Sequence, residues 1–231
     1  MDNKYDMTKL SLEGGYDTVI FLIRHGESVG NAYGYFLGHT DKDLSERGYI
    51  QAQRTAEFLS YEHIDAVYSS DLMRAHNTVL PHAQMRGLEV VDSVQLREIY
   101  AGEWDGMKYT DILAQYGDAF TSGWRASFGT FRIPGGESTQ EAAERFFCAV
   151  MDIARANKGK KVIIGAHAAV IRAFWGKVSN IPPQELAQAS FYPNNASVSV
   201  IYYDGENLVP GEYSHDAHLR DLYEDGTVTR A

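Results

Sequence analysis

The stretch Val19-Ile20-Phe21-Leu22-Ile23-Arg24-His25-Gly26-Glu27-Ser28 decides the fold. An apolar run of strand length, rich in β-branched residues, stops at Arg24 and His25, and Gly26 breaks the pattern. A short apolar run bounded by a breaker predicts a buried strand. At the carboxyl end of such a strand the side chains leave the packed sheet and face the crevice where open α/β proteins bind ligands. A guanidinium beside an imidazole at that place is a candidate anion site with a nucleophile in it.

Working outward, Val29 to Asp43 is a glycine-containing loop, and Ser45 then caps a helix running to about Ser60 with Glu46 in its first turn. Ala66 to Ser69 is a short strand leading into Ser70-Asp71, a capping pair for a helix that reaches about Met85 and carries Arg74 in its first turn. Leu88 to Val91 is a third strand. From Ser138 a capping box, Ser138-Thr139-Gln140-Glu141, opens a helix to about Asn157 that closes on glycine and cations, Lys158 to Lys161. Val162-Ile163-Ile164-Gly165 repeats the opening pattern, a buried strand ending in Ala166-His167 before a helix over Val170 to Lys177. Pro182-Pro183 starts another helix. Ala196 to Tyr203 alternates as a strand, and Asp204 to Asn207 turns it into a last short strand. These elements predict an α/β fold, a three-layer α/β/α sandwich around a mostly parallel sheet.

The segment from about 100 to 137 interrupts this regularity with glycines interleaved with Trp104, Tyr109, Tyr116, Phe120, Trp124, Phe128 and Phe131. A helix occupies Lys108 to Tyr116. Two readings stand side by side: a lid over a binding site, or an extension packed on its own aromatics. With no internal repeat and no linker, residues 1–231 are expected to form one domain carrying this lid insertion.

The 231 residues are enough for a full core, and 44% hydrophobic with 23% charged residues is ordinary for a globular chain. A formal net charge of -10 argues against nonspecific nucleic-acid binding and against anionic membranes. Any phosphate site must therefore be a local positive pocket. Cys148 is the one cysteine, which excludes an intramolecular disulfide. Its place in a helical pattern predicts a buried structural thiol. No apolar run could span a bilayer as a helix, and Met1 to Gly15 lacks a signal peptide's hydrophobic region and is a loose lead-in. Cytoplasmic residence is the expectation.

The chemistry-bearing residues are Arg24, His25, Arg74, His167 and Glu98. Moving the phosphoryl group of a phosphomonoester dianion chiefly requires positioning and charge stabilisation of its equatorial oxygens. Two forked guanidiniums suit that task. A neutral imidazole attacks phosphorus and splits hydrolysis into two steps. A carboxylic acid supplies the leaving group's proton and afterwards activates water.

Arg24-His25-Gly26-Glu27-Ser28 with Asn31 resembles the signature of the histidine phosphatase superfamily, in its phosphoglycerate mutase-like branch. The resemblance runs through Asp43 to Gly48 with Gln51-Ala52, Ser69 to Ala75 with Thr78, Leu96-Arg97-Glu98, Gly102 to Gly106, Gly135 to Ser138, His167 with Ile171-Arg172, and Asn195 to Val198. Each block is weak alone; in this order they are specific. The resemblance implies that His25 is the phosphorylated nucleophile and Glu98 the proton donor. It also implies that Arg24, Arg74 and His167 bind phosphate, assisted by Asn31 and Ser28.

Each of these residues has a competing assignment. His167 can instead be a satisfied strand-end histidine, Glu98 can pair with Arg97 or Arg74, Asp105 is a competing acid in a turn, and Arg172 is expected to be a structural ion-pair partner. The family follows its second histidine with glycine, whereas this chain has Ala168, which would be strained if that position needed positive φ. The spacing His215-x-x-His218 is a weak metal signal; no metal and no cofactor is expected.

The expected activity is a metal-independent, acid-type phosphatase acting on a small phosphorylated metabolite. The alternative is a cofactor-dependent mutase. Mutases place a tryptophan motif soon after the histidine and carry a longer basic insertion; here Val29-Gly30-Asn31 follows Ser28, and the insertion's cations are Lys108, Arg125 and Arg132. The non-enzymatic alternative, a phosphate-recognition or docking module, would be expected to have lost the nucleophile or the acid.

Overall fold

The computed structural model describes residues 15–189 and 191–222. The expected lead-in, apart from Gly15, lies outside them.

The opening stretch is strand β1 (Thr18–Arg24), every residue of which is buried. Because strand side chains alternate, β1 serves two cores at once. Val19, Phe21 and Ile23 pack with Leu59, Val79 and Ala83 beneath helices α2 (Glu46–Phe58) and α3 (Met73–Arg86). Ile20 and Leu22 pack with Phe146, Val150 and Phe174 beneath α5 (Thr139–Ala156) and α6 (Ala168–Val178). Each such side chain contributes about 1.5–3 kcal/mol when fully buried.

The sheet has six strands in the order β3-β2-β4-β1-β5-β6. Here β2 is Ala66–Ser70, β3 Val90–Ser93, β4 Lys160–Ala166, β5 Val198–Tyr203 and β6 Leu208–Pro210. β3, β2, β4 and β1 are parallel, while β5 runs antiparallel to β1. The three layers are therefore as expected. A side chain at Gly165 would meet Val79 Cγ1 at 2.8 Å and Ser69 Oγ at 3.0 Å, so this glycine lets α3 lie close on β4. Between the layers and the site, a third cluster joins Phe36, Trp104, Ile112 of helix α4 (Tyr109–Tyr116) and Phe120 to Ala143 of α5 and Ala169 of α6.

Several local expectations change. The loop after β1 contains a short helix, α1 (Val29–Tyr33), because Ser28 and Asn31 form a capping box. The α3 N-cap is Leu72 without a side-chain bond; Asp71 is taken by Arg97, with Nε–Oδ1 2.7 Å and Nη2–Oδ2 2.5 Å. The third strand is shifted to Val90–Ser93. Pro182-Pro183 starts turns, not a helix, and the carbonyls of Leu186 and Ala187 accept from Arg172. Cys148 is exposed, since α5 buries Phe146, Val150 and Met151 and turns residue 148 outward. Ser138 does form its capping box with Glu141. Among the described residues no helix is long and apolar enough to cross a membrane.

Candidate active site

Adjacent parallel strands bring the two histidines together. Arg24 pairs with Ala166 in register, and the His25 amide donates to the Ala166 carbonyl at 2.9 Å. His25 and His167 therefore leave β1 and β4 at one level, with ring centroids 5.2 Å apart. The chain passes close under His25: a Cβ on Gly26 would lie 2.7 Å from the Gly48 carbonyl oxygen. That approach admits only glycine and ties the loop after β1 to the start of α2.

The His25 ring is fixed by Nδ1, 2.7 Å from the Gly26 carbonyl oxygen. A carbonyl only accepts, so Nδ1 carries the proton and Nε2 keeps its lone pair. Burial, then the positive charges of Arg74 and Arg24, hold its pKa well below the usual histidine value. The ring stays neutral into the acidic range. His167 is depressed likewise, by burial first and Arg74 next. Both of its ring nitrogens are buried without a hydrogen-bond partner among the described residues.

Two guanidiniums flank the histidines, each held by backbone carbonyls instead of carboxylates. Arg24 Nη1 donates to the Pro193 carbonyl at 2.7 Å, and its guanidinium sits over Tyr192. Arg74 is 1% exposed and donates to the carbonyls of Gly38 at 2.8 Å and Thr40 at 3.1 Å. Burial lowers its pKa to about 10, with the Glu98 charge opposing, so it remains a cation at neutral pH. The loop that grips Arg74 is itself held by Asp105, whose carboxylate accepts from the amides of Gly38, His39 and Thr40. Asp105 is thus a loop anchor, not a second acid.

Glu98 pairs with neither Arg97 nor Arg74 by hydrogen bond. Its carboxylate is docked on the N-terminus of α6, accepting from Val170 N at 2.9 Å and Ala169 N at 3.1 Å, and from Ile99 N at 2.9 Å. A helix N-terminus favours negative charge, and three amides fix this one beside the histidines. Ala168 is the first residue of α6 and does not have positive φ, so the alanine there is unstrained.

Ser28 Oγ donates to Asn31 Oδ1 at 2.9 Å, and Ser28 N donates to the same oxygen at 3.1 Å. Asn31 therefore presents its amide nitrogen, with Ser28 orienting it. Asn195 Nδ2 donates to the His25 carbonyl at 3.0 Å, closing this side.

All seven sequence-derived candidates except His167 line one cavity of about 310 Å³, namely Arg24, His25, Ser28, Asn31, Arg74 and Glu98; the His167 ring lies against that of His25. The middle segment supplies a second wall of Phe120, Trp124, Arg125 and Phe128, and Arg172 and Tyr192 line the cavity as well. The segment also packs on its own aromatics, with Trp104 against Phe131, Phe120 and Phe36.

Arg172 departs from expectation: among the described residues it forms no ion pair, donating from Nη2 to Leu186 and Ala187 carbonyls and lying over the Phe128 ring. Tyr192 was not foreseen, because nothing local marks a residue that far along the chain as a neighbour of Arg24. His215 and His218 both stack against Phe58, with ring centroids 5.0 and 4.5 Å from it, and among the described residues no His, Cys, Asp and Glu cluster is arranged to hold a metal.

Paired imidazoles and guanidiniums with one anchored carboxylate, at the carboxyl ends of neighbouring parallel strands, have the chemistry that phosphoryl transfer requires. The sequence profile of the histidine phosphatase superfamily, branch 1, matches residues 20–214. The chain is 34% identical over 208 residues to metal-independent phosphoserine phosphatase of Arabidopsis thaliana, covering 89% of this chain and 84% of that one. It is 31% identical over 204 residues to phosphoserine phosphatase 1 of Hydrogenobacter thermophilus, covering 88% and 95%. The structure of Bacillus stearothermophilus YhfR matches with a TM-score of 0.82 at 27% identity, covering 87% of this chain and 99% of that one. The chain belongs to the histidine phosphatase superfamily, and it is a phosphomonoester hydrolase.

Proposed function

We propose that this protein is a single-domain, metal-independent phosphatase that hydrolyses a small phosphorylated metabolite through a phosphohistidine on His25. One observation carries the reading: a neutral His25, its Nδ1 engaged by Gly26, lies against His167 between two carbonyl-held arginines. Nε2 of His25 attacks phosphorus and the ester oxygen departs, taking its proton from Glu98. Arg24, Arg74 and His167 hold the equatorial oxygens as charge redistributes, with the Asn31 amide assisting and Ser28 orienting it. In the second step Glu98, now a carboxylate, takes a proton from water as that water attacks phosphorus. The N–P bond breaks and His25 returns neutral.

The similarity to phosphoserine phosphatases supports a small phosphorylated metabolite as substrate, as does the modest cavity. Residues 100–137 act as the lid wall of that cavity. The mutase reading has little support in the middle segment's cations. Lys108 lies over Tyr35, Arg132 pairs with Glu141, and of the three only Arg125 lines the cavity.

The test is hydrolysis of an aryl phosphate in a chelator-containing buffer at mildly acidic to neutral pH. Wild type turns over; His25→Ala loses at least roughly 10³-fold in kcat/KM. Full activity in His25→Ala rejects the mechanism.

A further inference from the structure

The block Asn195 to Val198 and the residue His218 take no part in the chemistry, yet hydrogen bonds join them to each other and to the nucleophile's backbone. Ala196 is fully buried and has φ 55°, the left-handed region that L residues with a side chain avoid. It is the third residue of a turn closed by Ser197 N on the Asn194 carbonyl at 3.1 Å. A positive φ at that place of a turn usually calls for glycine or asparagine. In this conformation the Ala196 amide reaches the carbonyls of Arg24 and His25 at 3.0 and 3.2 Å. Asn195 Nδ2 donates to the same His25 carbonyl at 3.0 Å. A strained turn thus grips the backbone of the nucleophile.

The carbonyl of Ala196 is held from another element. Thr55 Oγ1, on α2, lies 3.1 Å from that carbonyl, 2.9 Å from the Gln51 carbonyl and 3.0 Å from His218 Nε2. Both carbonyls only accept, so the hydroxyl proton goes to them and His218 donates from Nε2 to the hydroxyl oxygen. His218 Nδ1, buried and without a hydrogen-bond partner among the described residues, keeps the lone pair. Burial, then His215, lowers the His218 pKa to about 4, so the ring is neutral at mildly acidic to neutral pH. Stacking on Phe58, with centroids 4.5 Å apart and planes 5° from parallel, holds the ring in this orientation. Without the donation from His218, the Thr55 hydroxyl can turn to Gln51 alone, as helical threonines do. Ala196 would then keep its strain and lose the donor on its carbonyl.

We propose that His218 is a positioning residue for the nucleophile: through the Thr55 hydroxyl it holds Ala196 in the left-handed conformation, and the turn in place fixes the His25 backbone. It touches neither substrate nor the reacting atoms. The kinetic consequence rests on the phosphatase reading; the structural one rests on the hydrogen-bond chain alone.

His218→Ala is expected to lower kcat on an aryl phosphate by about tenfold, with KM within about twofold, because a displaced nucleophile slows the chemical step more than binding. Adding Ala196→Gly is expected to bring kcat back to within about threefold of wild type, since glycine takes positive φ without strain and needs no tether. His218→Gln, whose side-chain amide can still donate to Thr55, is expected to keep most of the activity. If His218→Ala does not fold, Thr55→Val replaces it, with the same loss and the same recovery on adding Ala196→Gly expected.

An unchanged kcat in His218→Ala overturns the proposal. So does a loss that Ala196→Gly leaves in place, which would reduce His218 to a packing role. A wild type inert toward every phosphate ester overturns the phosphatase reading instead. Nitrogen-15 spectra of the histidine rings then still decide the positioning role. His25 is expected as a single Nδ1–H tautomer in wild type, averaged between tautomers in His218→Ala and single again once Ala196→Gly is added. Identical His25 signals in all three proteins overturn it.

Discussion

The two walls of the cavity are built on different principles. On the strand-end wall, His25 and His167 are placed by backbone register between β1 and β4, and Arg74 and Glu98 by hydrogen bonds to carbonyls and amides. On the second wall, Trp124, Arg125 and Phe128 are placed by side-chain packing, with Trp104 as the hub touching Phe36, Tyr116, Phe120, Trp124 and Phe131. The first wall carries charge and chemistry; the second carries packing energy and shape. A change to one should therefore show in kinetics, and a change to the other in stability.

The largest effect that sharpens this contrast is expected from Trp104→Ala. Trp104 is 0% exposed, and removing so large a buried side chain costs about 3–5 kcal/mol. Denaturant unfolding should show that loss, with a raised KM and, in the protein still folded, a kcat close to wild type. A comparable drop in kcat with unchanged stability would erase the distinction between the walls.

Next in size is Glu98→Gln, which keeps the shape but has no proton to give from a carboxyl group. The expected loss in kcat/KM is on the order of 10²-fold for alkyl phosphates, equivalent to about 2.7 kcal/mol. Aryl phosphates, whose leaving groups need little protonation, should lose less. Equal losses for both esters would make Glu98 a structural anchor of α6.

The smallest effect is in the pH dependence of stability. His25 and His167 have folded-state pKa values pushed below the ordinary histidine value by burial. Their contribution is fully present above about pH 6.5, where both states are neutral. It is lost as pH falls toward the folded-state pKa values, because the unfolded chain takes up protons the folded site refuses. Each contributes a slope of about 1.4 kcal/mol per pH unit in that window. His167→Asn should give a shallower decline between pH 6.5 and 5 than wild type. The segment 100–137 contains no histidine, so Trp104→Ala should run parallel to wild type. Parallel curves for His167→Asn would contradict the buried, neutral assignment.

The same contrast explains what was legible in the sequence. β1 and β4 announce themselves because a buried strand is a local pattern, and a polar residue at its carboxyl end is a local interruption of that pattern. The capping boxes at Ser138 and at Ser28 are local too, although the second became visible only with α1 in place. Glu98 was identified by resemblance, since its anchoring amides belong to Ala169 and Val170, about seventy residues away. Arg172 was misassigned for a related reason. A cation was expected to seek a carboxylate, but its partners are the Leu186 and Ala187 carbonyls, about fifteen residues further along the chain. Cys148 was placed inside because cysteine is apolar by type, while the periodicity of α5 puts it outside. Tyr192 and the aromatic wall depend on contacts between distant segments, which no local periodicity encodes.

The most direct test of the central claim is to quench the enzyme during turnover of a phosphate-labelled ester and map the label. The account predicts a phosphoryl group that is labile in acid and stable in base, located on the peptide containing His25 and missing in His25→Ala. An acid-stable label on a serine or on Cys148 would contradict it.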